Sequence, residues 1–157
     1  MAGRIAARLR ELGITLPEAP APVANYVPFV VTSGLVVVSG QIPLREGRIA
    51  YSGKLGATVS AEEGREAARL CMLNVLAQLA VACGGDLDRV RRVVRLGGFI
   101  ACTPDFTAHA TVMNGASDLA VAVFGEAGRH ARTTIGVPCL PGDAACEVEG
   151  IFELAPG

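Results

Sequence analysis

The side chains best suited to chemistry lie near the C-terminal end of this 157-residue chain, in the stretch His130 to Glu149. Arg132 stands in an otherwise apolar run, Arg132-Thr133-Thr134-Ile135-Gly136-Val137. An unpaired guanidinium is costly to bury. Arg132 is therefore either a snorkelling or ion-paired edge residue or a bidentate clamp on a carboxylate, a task its planar fork suits better than lysine's point charge. After a turn made by Pro138, Pro141 and Gly142, Glu147 and Glu149 stand two apart on a second strand-like run, which puts both on one face. One such acid in a partly desolvated pocket holds or deprotonates a water, and spacing alone prefers neither. If the two runs pair as strands, arginine and carboxylate form one site that clamps an acid and activates water beside it. Tyr26, Ser39 and Asn114 add a phenol, a hydroxyl at a strand end and a helix amide, types that more often serve as local caps.

Composition removes several alternatives. The five cysteines show no CxxC spacing and there are two histidines, which argues against a structural zinc site and a disulfide framework and favours small buried thiols. No Ser-His-Asp or Cys-His arrangement can be argued from His109 and His130. A net charge of -1 supplies no global field for nucleic acid, and the lack of Trp leaves few platforms for base stacking. Arg89, Arg91, Arg92 and Arg95 form the one local basic cluster. A solvated sheet edge that discourages aberrant pairing accounts for them at less cost than RNA contact by Arg91 and Arg95. No phosphate-binding glycine motif or metal-ligand spacing occurs, so no cofactor is implied. The chain has no bilayer-length apolar run and its N-terminus lacks a signal-peptide pattern, so a cytoplasmic protein is expected.

The elements that must position these residues read as follows. Residues 1 to 13 suggest a short amphipathic helix with Ile5, Leu9 and Leu12 on one face, which needs a surface to dock on, this chain's own or a neighbouring subunit's. Pro17, Pro20 and Pro22 make an extended connector, so that 1–25 stands as a helix and linker before a single domain at 26–157. Phe29 to Thr32 and Leu35 to Ser39 read as a hairpin closed by Ser33-Gly34, followed by a loop from Arg45 to Ala57. Ser60-Ala61-Glu62-Glu63 fits a capping box, and the helix it opens stops at Gly84-Gly85. Val90 to Ala101 reads as a strand whose Gly97-Gly98 pair suggests a bulge or a close backbone approach. Thr103-Pro104-Asp105 reads as a second helix start, with an apolar stripe through Phe106, Ala110, Met113, Leu119 and Val123 to Gly125. The Arg132 strand and a strand from Ala145 to Leu154 complete a ββαβαββ order. Two helices cover one face of the sheet; the other needs a cover, for which a neighbouring subunit is the simplest candidate.

These residues, in this order, resemble the Rid/YjgF family of reactive-intermediate (enamine/imine) deaminases, also described as endoribonuclease L-PSP-like. The resemblance runs from about Tyr26 to Leu154 and is carried by three segments. They are Asn25-Tyr26-Val27 leading into Val38-Ser39-Gly40-Gln41-Ile42-Pro43; Thr111-Val112-Met113-Asn114; and Arg132-Thr133-Thr134 with Leu140-Pro141 and Cys146-Glu147-Val148-Glu149. It implies a chorismate-mutase-like α+β domain with a mixed sheet, assembled as a homotrimer with sites between subunits. It further implies that Arg132 binds the carboxylate of a 2-imino acid and that Glu147, rather than Glu149, orients the hydrolytic water. Tyr26, Ser39, Gly40, Asn114 and Thr134 fall at family positions that line the pocket. Thr134 stands where many members carry cysteine. The implied reaction, 2-imino or 2-enamino acid to 2-keto acid and ammonia, needs no metal or organic cofactor. Two alternatives remain: a non-catalytic protein binding or sensing small carboxylates, and an RNA-acting translation inhibitor or ribonuclease.

Overall fold

The computed structural model describes residues 3–157. Its framework is a five-stranded mixed sheet in the order β1-β2-β7-β5-β6. β1 (Phe29–Thr32) and β2 (Leu35–Gln41) form the expected hairpin, turned by Ser33 and Gly34 at φ 49° and 76°, the left-handed values a tight two-residue hairpin loop requires. β7 (Cys146–Leu154) runs antiparallel to both β2 and β5 (Val90–Ala101), whereas β6 (Ala131–Val137) lies parallel to β5 at the far edge. Burial alternates residue by residue along β7, so one face of the sheet is dry and the other is open.

Two helices cover the dry face. α2 (Ala61–Ala82) begins with the expected capping box, Ser60 Oγ accepting from the Glu63 amide at 3.1 Å and Glu63 accepting from the Ser60 amide at 2.8 Å. It packs on β2 and β7, while α3 (His109–Phe124) packs on β5 and β6. Between helices and sheet, Val36, Val38, Val93, Leu96, Ile100, Val148 and Phe152 are fully buried. The element order is thus the anticipated ββαβαββ, with one addition. The loop after β2 holds a small hairpin, β3 (Leu44–Arg45) and β4 (Arg48–Ile49), whose turn uses left-handed Glu46 and Gly47.

Two expectations need correcting, and a third holds in part. α3 starts at His109, not at Thr103: Cys102 and Thr103 bond to Val137 and Leu55 carbonyls, which holds the chain extended and leaves only a turn at Phe106. Phe106 therefore precedes the helix, and Ala110 is exposed. Gly97 and Gly98 pair in regular register with Glu149 and Val148, so no bulge lies there; the close approach comes from the side chains of Glu149 and Met113. The arginine cluster fits the edge reading in part: β6 pairs with β5 only from Arg95 onward, so Arg91 and Arg92 stand on a stretch of β5 whose only strand neighbour is β7. Two of its four members are also ion-paired, Arg91 with Glu153 and Arg95 with Glu149, each at 3.4 Å.

α1 (Arg4–Glu11) docks on its own chain, beside α3 and the turn before β5. Asp88 accepts from the Arg4 and Ile5 amides at 2.7 Å each, capping the helix start, while Ile5 and Leu9 enter the main core. The proline connector then crosses α2, where the buried Gln78 carboxamide donates to Pro20 O at 2.6 Å.

Candidate functional site

Glu147 lies on the open face, opposite Phe99 of β5 and beside the end of β2. Its carboxylate rests directly over Gly40: a Cβ there would overlap Oε1 and stand 2.9 Å from Cδ. Only glycine admits the acid at this spot. Around it, Tyr26, Pro28, Gln41, Ile42, Pro141 and connector residues enclose a cavity of about 410 Å³. Ser39 anchors that wall rather than facing it, its Oγ donating to Val27 O at 2.8 Å and its amide to Pro28 O at 2.9 Å. Burial, and secondarily the neighbouring Glu149, push the Glu147 carboxyl above its ordinary range. Glu149 has Arg95 at 3.4 Å, whereas Glu147 has no ion pair among the described residues. The two acids that spacing left equivalent are thus physically distinct, and Glu147 is the one poised to hold a proton or a water.

Arg132 sits elsewhere. It pairs in register with Leu96, a helix-facing residue of β5, so its side chain turns toward α3. There Nη1 donates to Asn114 Oδ1 at 2.9 Å and Ser117 Oγ at 3.0 Å, and Nη2 to Ala110 O at 3.3 Å. Three of five N–H groups are used, all on neutral acceptors, and Nε–H with one Nη2–H remain on adjacent nitrogens that a carboxylate can take together. The positive charge is therefore oriented but not compensated.

The anticipated single pocket is not built within one chain. β6 and β7 do not pair, because β5 separates them, and Arg132 and Glu147 face opposite sides of the sheet. Tyr26, Gly40 and Glu147 gather at one location, with Ser39 bracing them from behind. Arg132 and Asn114 gather at another, and Thr134 follows Arg132 on the helix-facing side of β6. Its hydroxyl is buried without a hydrogen-bond partner.

A model of the YjgF/chorismate mutase-like, putative endoribonuclease family matches residues 6–154. The chain belongs to the Rid/YjgF family. Among relatives of this Rid/YjgF chain, Protein TCP17 of Trypanosoma cruzi is 50% identical over 153 residues, 97% of this chain and 95% of that protein. The crystal structure of Atu1372 from Agrobacterium tumefaciens, of unknown function, is 46% identical, with a TM-score of 0.90 over 96% of this chain and 92% of that one. Escherichia coli TdcF with bound serine is 26% identical, with a TM-score of 0.65 over 88% and 94% of the two chains.

Two groups in this Rid/YjgF chain escaped sequence reasoning. Behind the arginine, His130 Nδ1 lies 2.6 Å from Gly128 O and so carries the proton, leaving Nε2 to accept from Ser117 Oγ at 2.8 Å in the neutral ring. Ser117 is thereby turned to offer a lone pair to Arg132. Asn114 and Ser117 are three apart on one helix, a spacing that signals a shared face. The second group is Cys102, whose Sγ lies 3.5 Å from His109 Nε2. The buried-thiol expectation holds for Cys71, Cys83 and Cys146, but Cys102 is half-buried and Cys139 exposed.

Proposed function

We propose that this protein hydrolyses reactive 2-imino and 2-enamino acids to 2-keto acids and ammonia, a damage-control activity of the cytoplasm. We further propose that it does so in a homotrimer, with Arg132 of one subunit facing Glu147 of the next. The observation that carries this reading is the uncompensated Arg132 fork set apart from a desolvated, unpaired Glu147. Among the described residues neither has an ion-pair partner. The open sheet face supports the assembly: Val30 and Ile135 are 49% and 47% exposed there, with Val37 and Val94 between them, where a soluble monomer gains nothing from apolar side chains. TdcF, a relative that binds serine, supports a small amino or imino acid as ligand.

In this mechanism the substrate carboxylate takes the Nε and Nη2 donors of Arg132, whose other donors are fixed by Asn114 and Ser117. Glu147 accepts a proton from a water as its oxygen adds to the electrophilic carbon of the protonated imine. The resulting carbinolamine receives that proton on nitrogen; as the C–N bond breaks and the carbonyl forms, Glu147 takes the hydroxyl proton and passes it to the departing ammonia, which leaves as ammonium. The overall change is imine plus water to keto acid plus ammonium. Protonated imines are reactive already, so positioning with modest acid–base help suffices.

The test couples a serine or threonine dehydratase to the purified protein and follows keto-acid formation against semicarbazide trapping of the imine. Acceleration that is lost in Arg132→Ala and Glu147→Gln is expected; equal acceleration by Arg132→Ala would sink the assignment. Saturable keto-acid binding without turnover would replace it with the carboxylate-binding alternative. A monomer by light scattering would remove the intersubunit site.

A further inference from the structure

We infer that the proline connector is the side-chain specificity wall of the Glu147 cavity, and that this cavity selects 2-imino acids with branched aliphatic or aromatic side chains over those with methyl or ethyl. The inference rests on the imine-hydrolysis reading and names the substrate class for the same site. Its first ground is size. Cavities that hold drug-sized ligands start near about 300 Å³, and this one measures about 410 Å³. A three- or four-carbon imino acid fills only a minor part of this space, which one chain provides before the neighbouring subunit brings Arg132 to its mouth.

The second ground is lining chemistry. Pro20, Pro22, Ile42, Leu44 and Pro141 present hydrocarbon, and Glu147 is the one charged group on the wall. With the imine carbon beside the Glu147 carboxylate, the substrate's side chain has the connector in front of it. Gln41 and Tyr26 put polar groups elsewhere on the wall, but a polar side chain facing the prolines would lose hydration against hydrocarbon, whereas an apolar one sheds water from both surfaces.

The third ground is how the walls are held apart. Gln78 and Asn74 are one turn apart on α2, so they share a face, and they are 2% and 1% exposed. Gln78 Nε2 donates to Pro20 O at 2.6 Å, fixing the connector wall. Asn74 Nδ2 donates to Ile42 O at 3.1 Å and Leu44 O at 3.0 Å, fixing the opposite wall. Core packing alone would be served by leucine at either position. Amides buried to hold the carbonyls of two irregular segments set a distance between those segments. The prolines stiffen the span that Gln78 holds, since φ is locked at each. Gln78 and Asn74 are thus positioning residues for selectivity, acting through walls they do not themselves form.

The experiment generates imines in place with an L-amino-acid oxidase acting on leucine, phenylalanine or alanine, and measures kcat/KM on the full chain by competition with semicarbazide. The leucine- and phenylalanine-derived imines should exceed the alanine-derived one by at least about tenfold, the scale of a few methylenes in an apolar pocket. Gln78→Met keeps the buried volume but drops the tether, and should shrink that ratio about fivefold, mainly through KM for the larger imines. Ile42→Phe, which fills the cavity without touching the tether, should shrink it too. A ratio near one, or one favouring the alanine-derived imine, overturns the inference and leaves imine hydrolysis standing. An unchanged ratio in a folded Gln78→Met protein overturns the connector's role. If no imine is turned over, the hydrolytic reading fails, and calorimetry with 4-methyl-2-oxopentanoate against pyruvate decides the pocket: tighter binding of the larger acid upholds it, equal or weaker binding overturns it.

Discussion

Gly40→Ala separates what Glu147 does for catalysis from what it does for stability. Gly40 is not among the residues with positive φ, so alanine meets no backbone strain. Its methyl instead lands 2.9 Å from Glu147 Cδ and 3.1 Å from Cγ. Carbon pairs settle near about 3.5 Å and the overlap with Oε1 is deeper still, so the carboxyl must move by about 1 Å or swing to a new rotamer. The displaced atoms are the end of a flexible, half-buried side chain, which places the stability cost at the low end of overpacking, about 1 kcal/mol. For a domain of this size that lowers Tm by about 2–4 °C. Catalysis is less forgiving, because displacing a positioning group by about 1 Å costs about a hundredfold. The assay is imine hydrolysis under semicarbazide competition, with scanning calorimetry on the same samples. kcat should fall about a hundredfold with KM little changed, and the substitution should add almost nothing on a Glu147→Gln background. A folded Gly40→Ala protein within about threefold of wild-type kcat would refute the reasoning, as would full additivity with Glu147→Gln.

Further outcomes follow from the same geometry. Because burial raises the Glu147 carboxyl above its ordinary 4.5, its charged form is less favourable folded than unfolded, so stability rises as pH falls through the raised value toward 4.5. Glu147→Gln should therefore raise Tm at neutral pH, with the advantage vanishing in acid, and wild-type activity should fall as pH drops through that raised value; a Tm gain independent of pH would contradict it. Arg132→Lys keeps the charge but loses the fork, and should raise KM by about tenfold or more with folding intact, read by initial rates. Asp88→Ala removes the carboxylate that accepts from the Arg4 and Ile5 amides, and should cost about 1 kcal/mol by denaturant titration. Since those amides lower the Asp88 carboxyl below 3.8, this contribution is present above 3.8 and lost as pH falls through the lowered value. Thr134→Val removes a buried hydroxyl that has no partner among the described residues; unchanged kcat/KM with a raised Tm would assign the position to its backbone, whereas a lowered kcat/KM would assign the hydroxyl to the ligand.

What could be read from the sequence was mostly local. The capping box at Ser60 and the alternation along β7 each depend on neighbours a few residues away, and both stand in the structure. The start of α3 was hidden because its competitor is distant: Thr103 could begin a helix on its own preferences, but Leu55, nearly fifty residues earlier, holds its amide. The small β3–β4 hairpin escaped because two-residue strands carry too little pattern to register. Arg132 and Glu147 were each legible as chemically apt, yet their relation was not. Alternation tells which residues of a strand share a face, but not which face the next strand in sequence will present. That depends on β5 inserting between β6 and β7, a fact of topology with no local signature.

The separation of Arg132 and Glu147 is better understood as electrostatics than as distance. Had the sheet brought them together, guanidinium and carboxylate would neutralise each other, and a substrate carboxylate would have to displace an ion pair that burial strengthens. Holding Arg132 with Asn114, Ser117 and a backbone carbonyl orients the fork while leaving its charge free. Burial, and secondarily Glu149, raise the proton affinity of Glu147, and no cation among the described residues offsets them, which suits the base role proposed for it. Glu149, two residues away and paired with Arg95, shows what the alternative looks like on the same strand: a carboxylate already satisfied and of little use as a base. Among the described residues each group is thus left without its complement, which suits the proposed ligand, anionic at one end and electrophilic at the other.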